Sequence, residues 1–150
     1  MRQVGIFGKR KSGKSALMYA LTHHKMMQET KYNAMEISGV EKIMLVDTVG
    51  VDVEQSGAEK SAESMEVAIM LISNDYFDLE MAWLSKLRKI GVEIILVVSQ
   101  ADKFQDSGKS LAAAVNEVSG LKVICVSSKT GLGIEELNAE ILNRLAKIES

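Results

Sequence analysis

The sequence predicts a three-layer α/β domain built on one mainly parallel sheet. Three observations lead there. Short apolar runs alternate with helix-length amphipathic stretches along the whole chain; no repeat or linker interrupts them; and the first apolar run leads directly into a loop rich in glycine and lysine. About six strands and five helices are expected, with right-handed crossovers and one antiparallel edge strand. With 150 residues, 47% of them hydrophobic and 25% charged, the chain is long enough for a single domain with a substantial core.

The first strand is expected at Gln3 to Phe7 and the first helix from Ser15 to about Thr22. Between them, Gly8-Lys9-Arg10-Lys11-Ser12-Gly13-Lys14-Ser15 fits the pattern G-x-x-x-x-G-K-[ST] without a mismatch. A chain of this length meets that pattern by chance on the order of 0.5% of the time. Glycines let consecutive backbone N–H groups turn into one concavity, and the helix start just after it, at Ser15-Ala16, adds its partial positive charge. Lys14 is placed to reach terminal phosphates and the Ser15 hydroxyl to ligate Mg²⁺, so the loop implies a nucleoside phosphate.

Composition excludes several other classes. A formal net charge of −2 gives no basic footprint for nucleic acid, and the one dense basic cluster, Lys9-Arg10-Lys11, lies inside the phosphate loop. Cys125 is the sole cysteine, which rules out an internal disulfide and a cysteine metal site. No apolar run approaches the ~20 residues a membrane span needs, and the first strand begins too early to leave room for a signal peptide, so a cytoplasmic location is expected.

After the first helix, His23 and His24 fit a helix end better than a metal pair, because adjacent helical side chains diverge. A strand is expected at Lys31 to Ser38, turning at Gly39 into the apolar strand Lys42 to Val46 as an antiparallel hairpin. The second of these ends on Asp47-Thr48-Val49-Gly50, which puts an acid in the crevice where α/β sheets bind ligands. There Asp47 can hold Mg²⁺ through a water, and the Gly50 amide can sense a terminal phosphate. Val51 to Ser61 is polar and reads as a loop. Val67 to Ile72 is a buried strand. Phe77 to Ile90 is a helix with Leu79, Trp83, Leu84, Leu87 and Ile90 on one face, stopped by Gly91. Glu93 to Val98 is a strand, Ser110 to Val118 a helix, Val123 to Val126 the last strand, and Ile134 to Ile148 a closing helix with Ile134, Leu137, Ile141, Leu142 and Leu145 inward.

In this order the chain resembles, over nearly its whole length, a G domain of the translation-factor-like (TRAFAC) class of P-loop GTPases, with a Ras-like fold. Asp47-Thr48-Val49-Gly50 fits the D-x-x-G box, Ser99-Gln100-Ala101-Asp102 stands where N-K-x-D belongs, and Ser127-Ser128-Lys129 where S-A-K belongs. Within the class it is most similar to the G domain of HydF, the [FeFe]-hydrogenase maturation protein, through Ala34-Met35-Glu36-Ile37, Leu45 to Asp52, and Gly57. The small microcompartment-associated EutP/PduV proteins are second, with a similar length and a shortened switch.

The resemblance implies GTP or GDP with Mg²⁺ as ligands. Gly8 to Ala16 would hold the phosphates, and Ser99, Gln100, Asp102, Ser127, Ser128 and Lys129 the guanine base. Ser15, Asp47 and Thr30 would hold the metal, and Lys14, Lys11, Thr48 and Gly50 form the catalytic set. Thr30 is the local candidate for the switch threonine that closes over Mg²⁺. Asp102 would accept two hydrogen bonds that guanine offers and adenine does not. Lys11 replaces the asparagine that helps relatives hold K⁺, placing its own ammonium near the phosphates. Val51 follows the D-x-x-G box where other members carry glutamine, and Asp52, Glu54 and Gln55 stay open as general bases. Three functions remain in view: a slow guanine-nucleotide switch acting on a protein partner or further domains through its switch loops, a non-hydrolysing interaction module, and a phosphate-loop protein for another nucleotide.

Overall fold

The computed structural model describes residues 2–21, 26–28, 33–35, 43–47 and 62–149. Its strands are β1 (Arg2–Phe7), β2 (Met26–Gln28), β3 (Asn33–Met35), β4 (Ile43–Asp47), β5 (Val67–Ile72), β6 (Glu93–Val98) and β7 (Val123–Cys125). Its helices are α1 (Lys14–Leu21), α2 (Asp78–Ile90), α3 (Lys109–Ser119) and α4 (Ile134–Glu149), with a 3₁₀ turn at Ala101–Lys103.

Five strands form one sheet in the order β4-β1-β5-β6-β7, and every pairing in it is parallel. A parallel strand covered by helices on both faces has no solvent side, so it must be apolar throughout. β5 shows this: all six of its residues are buried. Side chains alternate across a strand. Val67, Ile69 and Leu71 therefore enter the core beneath α1 and α4, with Leu17, Met18, Leu137 and Ile141. Ala68, Met70 and Ile72 enter the opposite core beneath α2 and α3, with Trp83, Leu84, Leu111 and Val115. Trp83 is 6% exposed and lies in this second core, with the Lys86 ammonium 4.7 Å from its ring centroid.

Helix ends follow local chemistry. Gly91, at φ 88°, takes the left-handed conformation that ends α2, and its N–H donates to the Leu87 and Arg88 carbonyls. The strands at 67–72 and 93–98 and the helices lie where their periodicity predicts, within a residue or so at each end.

One pairing differs from expectation. The hairpin predicted from the sequence joins 31–38 antiparallel to Lys42 to Val46 as the sheet's edge. Instead, among the described residues, β3 pairs antiparallel with β2 as a separate two-stranded sheet with Met26 opposite Met35, and lies against β4 without a ladder to it. β4 joins β1 in parallel, with Val4 opposite Leu45 and Ile6 opposite Asp47. Apolarity on both faces suits β4 to a parallel ladder with β1 at the end of the sheet, while 26–28 and 33–35, four residues apart, pair with each other at less entropic cost. The described sheet thus has five strands and four α-helices around it, against the six and five expected. His23 and His24 lie outside the described residues, and no helix among those described is long and apolar enough to cross a membrane.

The strand order places the site. The chain leaves β1 toward β4 on one side and leaves its other neighbour, β5, toward β6 on the opposite side, a switch point where diverging connections leave a crevice. Because the strands are parallel, the loops after β1, β6 and β7 open at the same edge, where β4 also ends at Asp47. Replacing Leu137, fully buried under the sheet, with alanine should lower the unfolding free energy by about 2–5 kcal/mol in urea denaturation. Val118→Ala, on an exposed face, should stay within about 0.5 kcal/mol.

Candidate functional site

The loop from Gly8 to Gly13 joins β1 to α1 and is held from every side. A Cβ on Gly8 would sit 2.6 Å from Ser12 Oγ and 3.1 Å from Leu71 Cβ, so only glycine fits there. Lys14 Nζ donates to the Gly8 and Lys9 carbonyls at 3.2 and 3.0 Å, spanning the loop. The Ser12 N–H donates to the Lys9 carbonyl, and Leu17 N–H to that of Gly13, where α1 begins. Arg10 and Lys11 are exposed. Lys11 has φ 66°, a left-handed conformation that costs a non-glycine residue energy and persists only where neighbours impose it.

The loop after β6 supplies two of those neighbours. Ser99, 2% exposed, donates its hydroxyl to the Ser12 carbonyl at 2.7 Å. Gln100 donates Nε2 to the Lys11 carbonyl at 3.2 Å. The loop after β7 is tied in turn: Ala101 N–H donates to the Val126 carbonyl, and the Ser127 hydroxyl donates to Asp102 Oδ1 at 2.8 Å while accepting from Thr130 N–H. These contacts leave an open cleft of about 320 Å³ lined by Gly13, Ala16, Ser99, Gln100, Asp102, Lys103, Ser128 and Lys129.

At the other end of α1's first turn, the Ser15 hydroxyl donates to Asp47 Oδ2 at 2.8 Å. Asp47 Oδ1 is buried and has no hydrogen-bond partner among the described residues. The two residues expected to share a divalent cation are thus adjacent, although β4 and α1 lie far apart in sequence. Thr30, Thr48, Gly50, Val51, Asp52, Glu54 and Gln55 fall outside the described residues.

A family model described as 50S ribosome-binding GTPase matches residues 3–129. The chain belongs to this GTPase family. Among solved structures, an Era variant of Aquifex aeolicus bound to GDP and aluminium fluoride superposes with a TM-score of 0.76 at 19% identity, over 96% of this chain and 57% of that one. This chain therefore spans little more than half of the Era chain. A probable GTP-binding protein engB superposes at 0.72 with 17% identity, covering 97% and 99% of the two chains. The FeoB G domain of Methanococcus jannaschii does so at 0.70 with 22% identity, again over 97% and 99%. No curated protein matches the sequence.

In this GTPase domain two of the expected site residues act indirectly. Ser127 is fully buried and orients Asp102 instead of lining the cleft. Lys9 turns away from the loop's interior: its ammonium donates to the Tyr76 carbonyl and lies 3.3 Å from Glu80 Oε1. Glu80 is 1% exposed and projects from the face of α2 that carries Trp83, Leu84 and Leu87. A carboxylate on an inward helical stripe is the sequence signal for a buried partner; nothing in the pattern says that the partner is Lys9. Lys103 also lines the cleft, and no motif singles it out.

Removing the cation of a buried pair leaves the carboxylate uncompensated. Lys9→Met should lower the unfolding free energy by about 3 kcal/mol, and Lys9→Arg should recover most of it, both read from urea denaturation.

Proposed function

We propose that this chain is a guanine-nucleotide switch that hydrolyses GTP slowly to GDP and phosphate with Mg²⁺ and acts on a protein partner. The observation that carries this is the fixed position of Asp102, whose carboxylate is held by Ser127 at a cleft shared with Gly13 and Ala16 beside the phosphate loop. One ligand spanning that cleft and the loop would meet a carboxylate at its base end and the loop's N–H groups at its phosphate end. The Ser128 backbone N–H is the proposed donor to the guanine oxygen, and Lys129 a wall of the same cleft.

A divalent cation fits the pair beside the loop. Ser15 supplies a hydroxyl, Asp47 a carboxylate with one buried oxygen that no described group satisfies, and Thr30 is the proposed third contributor. When bound, Mg²⁺ neutralises charge on the phosphate oxygens. Among the chain's own groups, Lys14 places an ammonium across the loop, while Lys11, Thr48 and Gly50 complete the proposed catalytic set. Slow turnover is expected because Val51 stands where other members position water with glutamine and Thr30 comes only eight positions after Thr22.

The similarity at 34–37 and 45–52 supports HydF-like metallocofactor maturation as the partner context, with the EutP/PduV proteins as the alternative. A cytoplasmic location goes with either. A non-hydrolysing interaction module is the second reading, favoured by Ser99 and Gln100 in the base box.

Calorimetric titration of the nucleotide-stripped domain in Mg²⁺ should show micromolar GDP and GTP binding and no ATP signal. Silence from all three nucleotides would overturn the switch, and ATP binding alone would redirect it to another nucleotide. Phosphate release then separates the switch from the non-hydrolysing module. If the Lys11 ammonium supplies the charge that relatives import as K⁺, turnover should be equal in KCl and NaCl, and a tenfold rise in KCl would exclude that role.

A further inference from the structure

Gln100 occupies the place where the related base box carries a lysine, and its surroundings show a second residue acting with it. Gln100 has φ 54° and ψ 39°, which turns its side chain across the phosphate loop. Nε2 donates to the Lys11 carbonyl at 3.2 Å and covers Gly13, where a Cβ would lie 3.4 Å from it. The other end of the carboxamide, Oε1, accepts from Lys103 Nζ at 3.1 Å.

Local geometry brings Lys103 there. Gln100 opens the 3₁₀ turn, in which side chains three residues apart eclipse one another, and the Lys103 N–H closes the turn on the Gln100 carbonyl. The Phe104 ring, its centroid 5.3 Å from the Lys103 ammonium, adds a cation–π contact on another side. An ammonium only donates and a carbonyl only accepts, so each end of the carboxamide meets the one partner type it can use.

We propose that Lys103 is a positioning residue of the cleft: by holding Gln100 Oε1 it fixes the carboxamide across the phosphate loop, and the two side chains share the work of the single lysine in the related box. This rests on the guanine-nucleotide reading above. The glutamine supplies the stem along the cleft wall and the tether to the Lys11 carbonyl. The lysine supplies the positive charge at the cleft edge, which glutamine lacks. Without Lys103 the carboxamide is held at Nε2 alone, and the tether that keeps Lys11 in its left-handed conformation loosens.

The test is a double-mutant cycle on GDP affinity with Lys103→Met, Gln100→Lys and the double variant, checked for unchanged thermal unfolding. Both positions are at the surface, and Lys103→Arg serves as a second variant that keeps the donor. Lys103→Met should weaken GDP binding about fivefold, roughly the net worth of one ordinary hydrogen bond, and Lys103→Arg should restore it. Gln100→Lys reaches the Lys11 carbonyl without help, so in that background Lys103→Met should change affinity less than twofold. Equal losses in both backgrounds would show a general charge effect and overturn the positioning role, as would no loss in the wild-type background. A wild-type domain that binds no GDP overturns the nucleotide reading itself, an outcome distinct from GDP binding that ignores Lys103.

Discussion

A loop that binds phosphate must keep its carbonyl oxygens away from the anion, and in this domain side chains hold them from outside. The carbonyls of Gly8 and Lys9 accept from Lys14, that of Lys11 from Gln100, and that of Ser12 from Ser99. Each such bond engages an oxygen that would otherwise repel phosphate. The tethers come from α1 and from the loop after β6, so the phosphate loop keeps its shape only while β1, β5 and β6 are in register. The parallel sheet is in that sense part of the site.

The same dependence decides how much of the structure is legible in the sequence. The phosphate loop is legible because glycines and a Lys-Ser pair rarely fall at that spacing by chance, and β5 and β6 because a strand covered on both faces is apolar without a break. Asp47 and Ser15 are legible as a pair through their motifs. The pairing of β3 is not, since alternation shows that a strand exists but not which neighbour it takes. The motif assigns Lys9 to phosphate, yet it is bound to Glu80, and no local pattern reports a contact made across 71 residues of sequence. Ser127 shows a subtler limit: its type suits the base box, but it serves by orienting Asp102.

Where the sequence departs from the related N-K-x-D pattern, Ser99 and Gln100 both still bond the phosphate loop. Ser99 is shorter than the asparagine it replaces but reaches the Ser12 carbonyl because the β6 end and the loop approach closely. What the side chain lost in length the backbone supplies in proximity. The Gln100 amide has no charge of its own, yet it works within a relay from an ammonium to a backbone carbonyl. Binding chemistry in such a cleft belongs to the network more than to any single position.

Trp83 extends this to observation by light. It is the chain's one tryptophan, 6% exposed and one turn beyond Glu80 on the face of α2 that meets the sheet. The ion pair that anchors the phosphate loop and the sole indole chromophore therefore share a helix. Its emission comes from one environment, inside the core that also holds Met70 and Leu96 and beside the Lys86 cation. A shift in its wavelength or lifetime reports whether that helix is seated, without a label and without averaging over several rings.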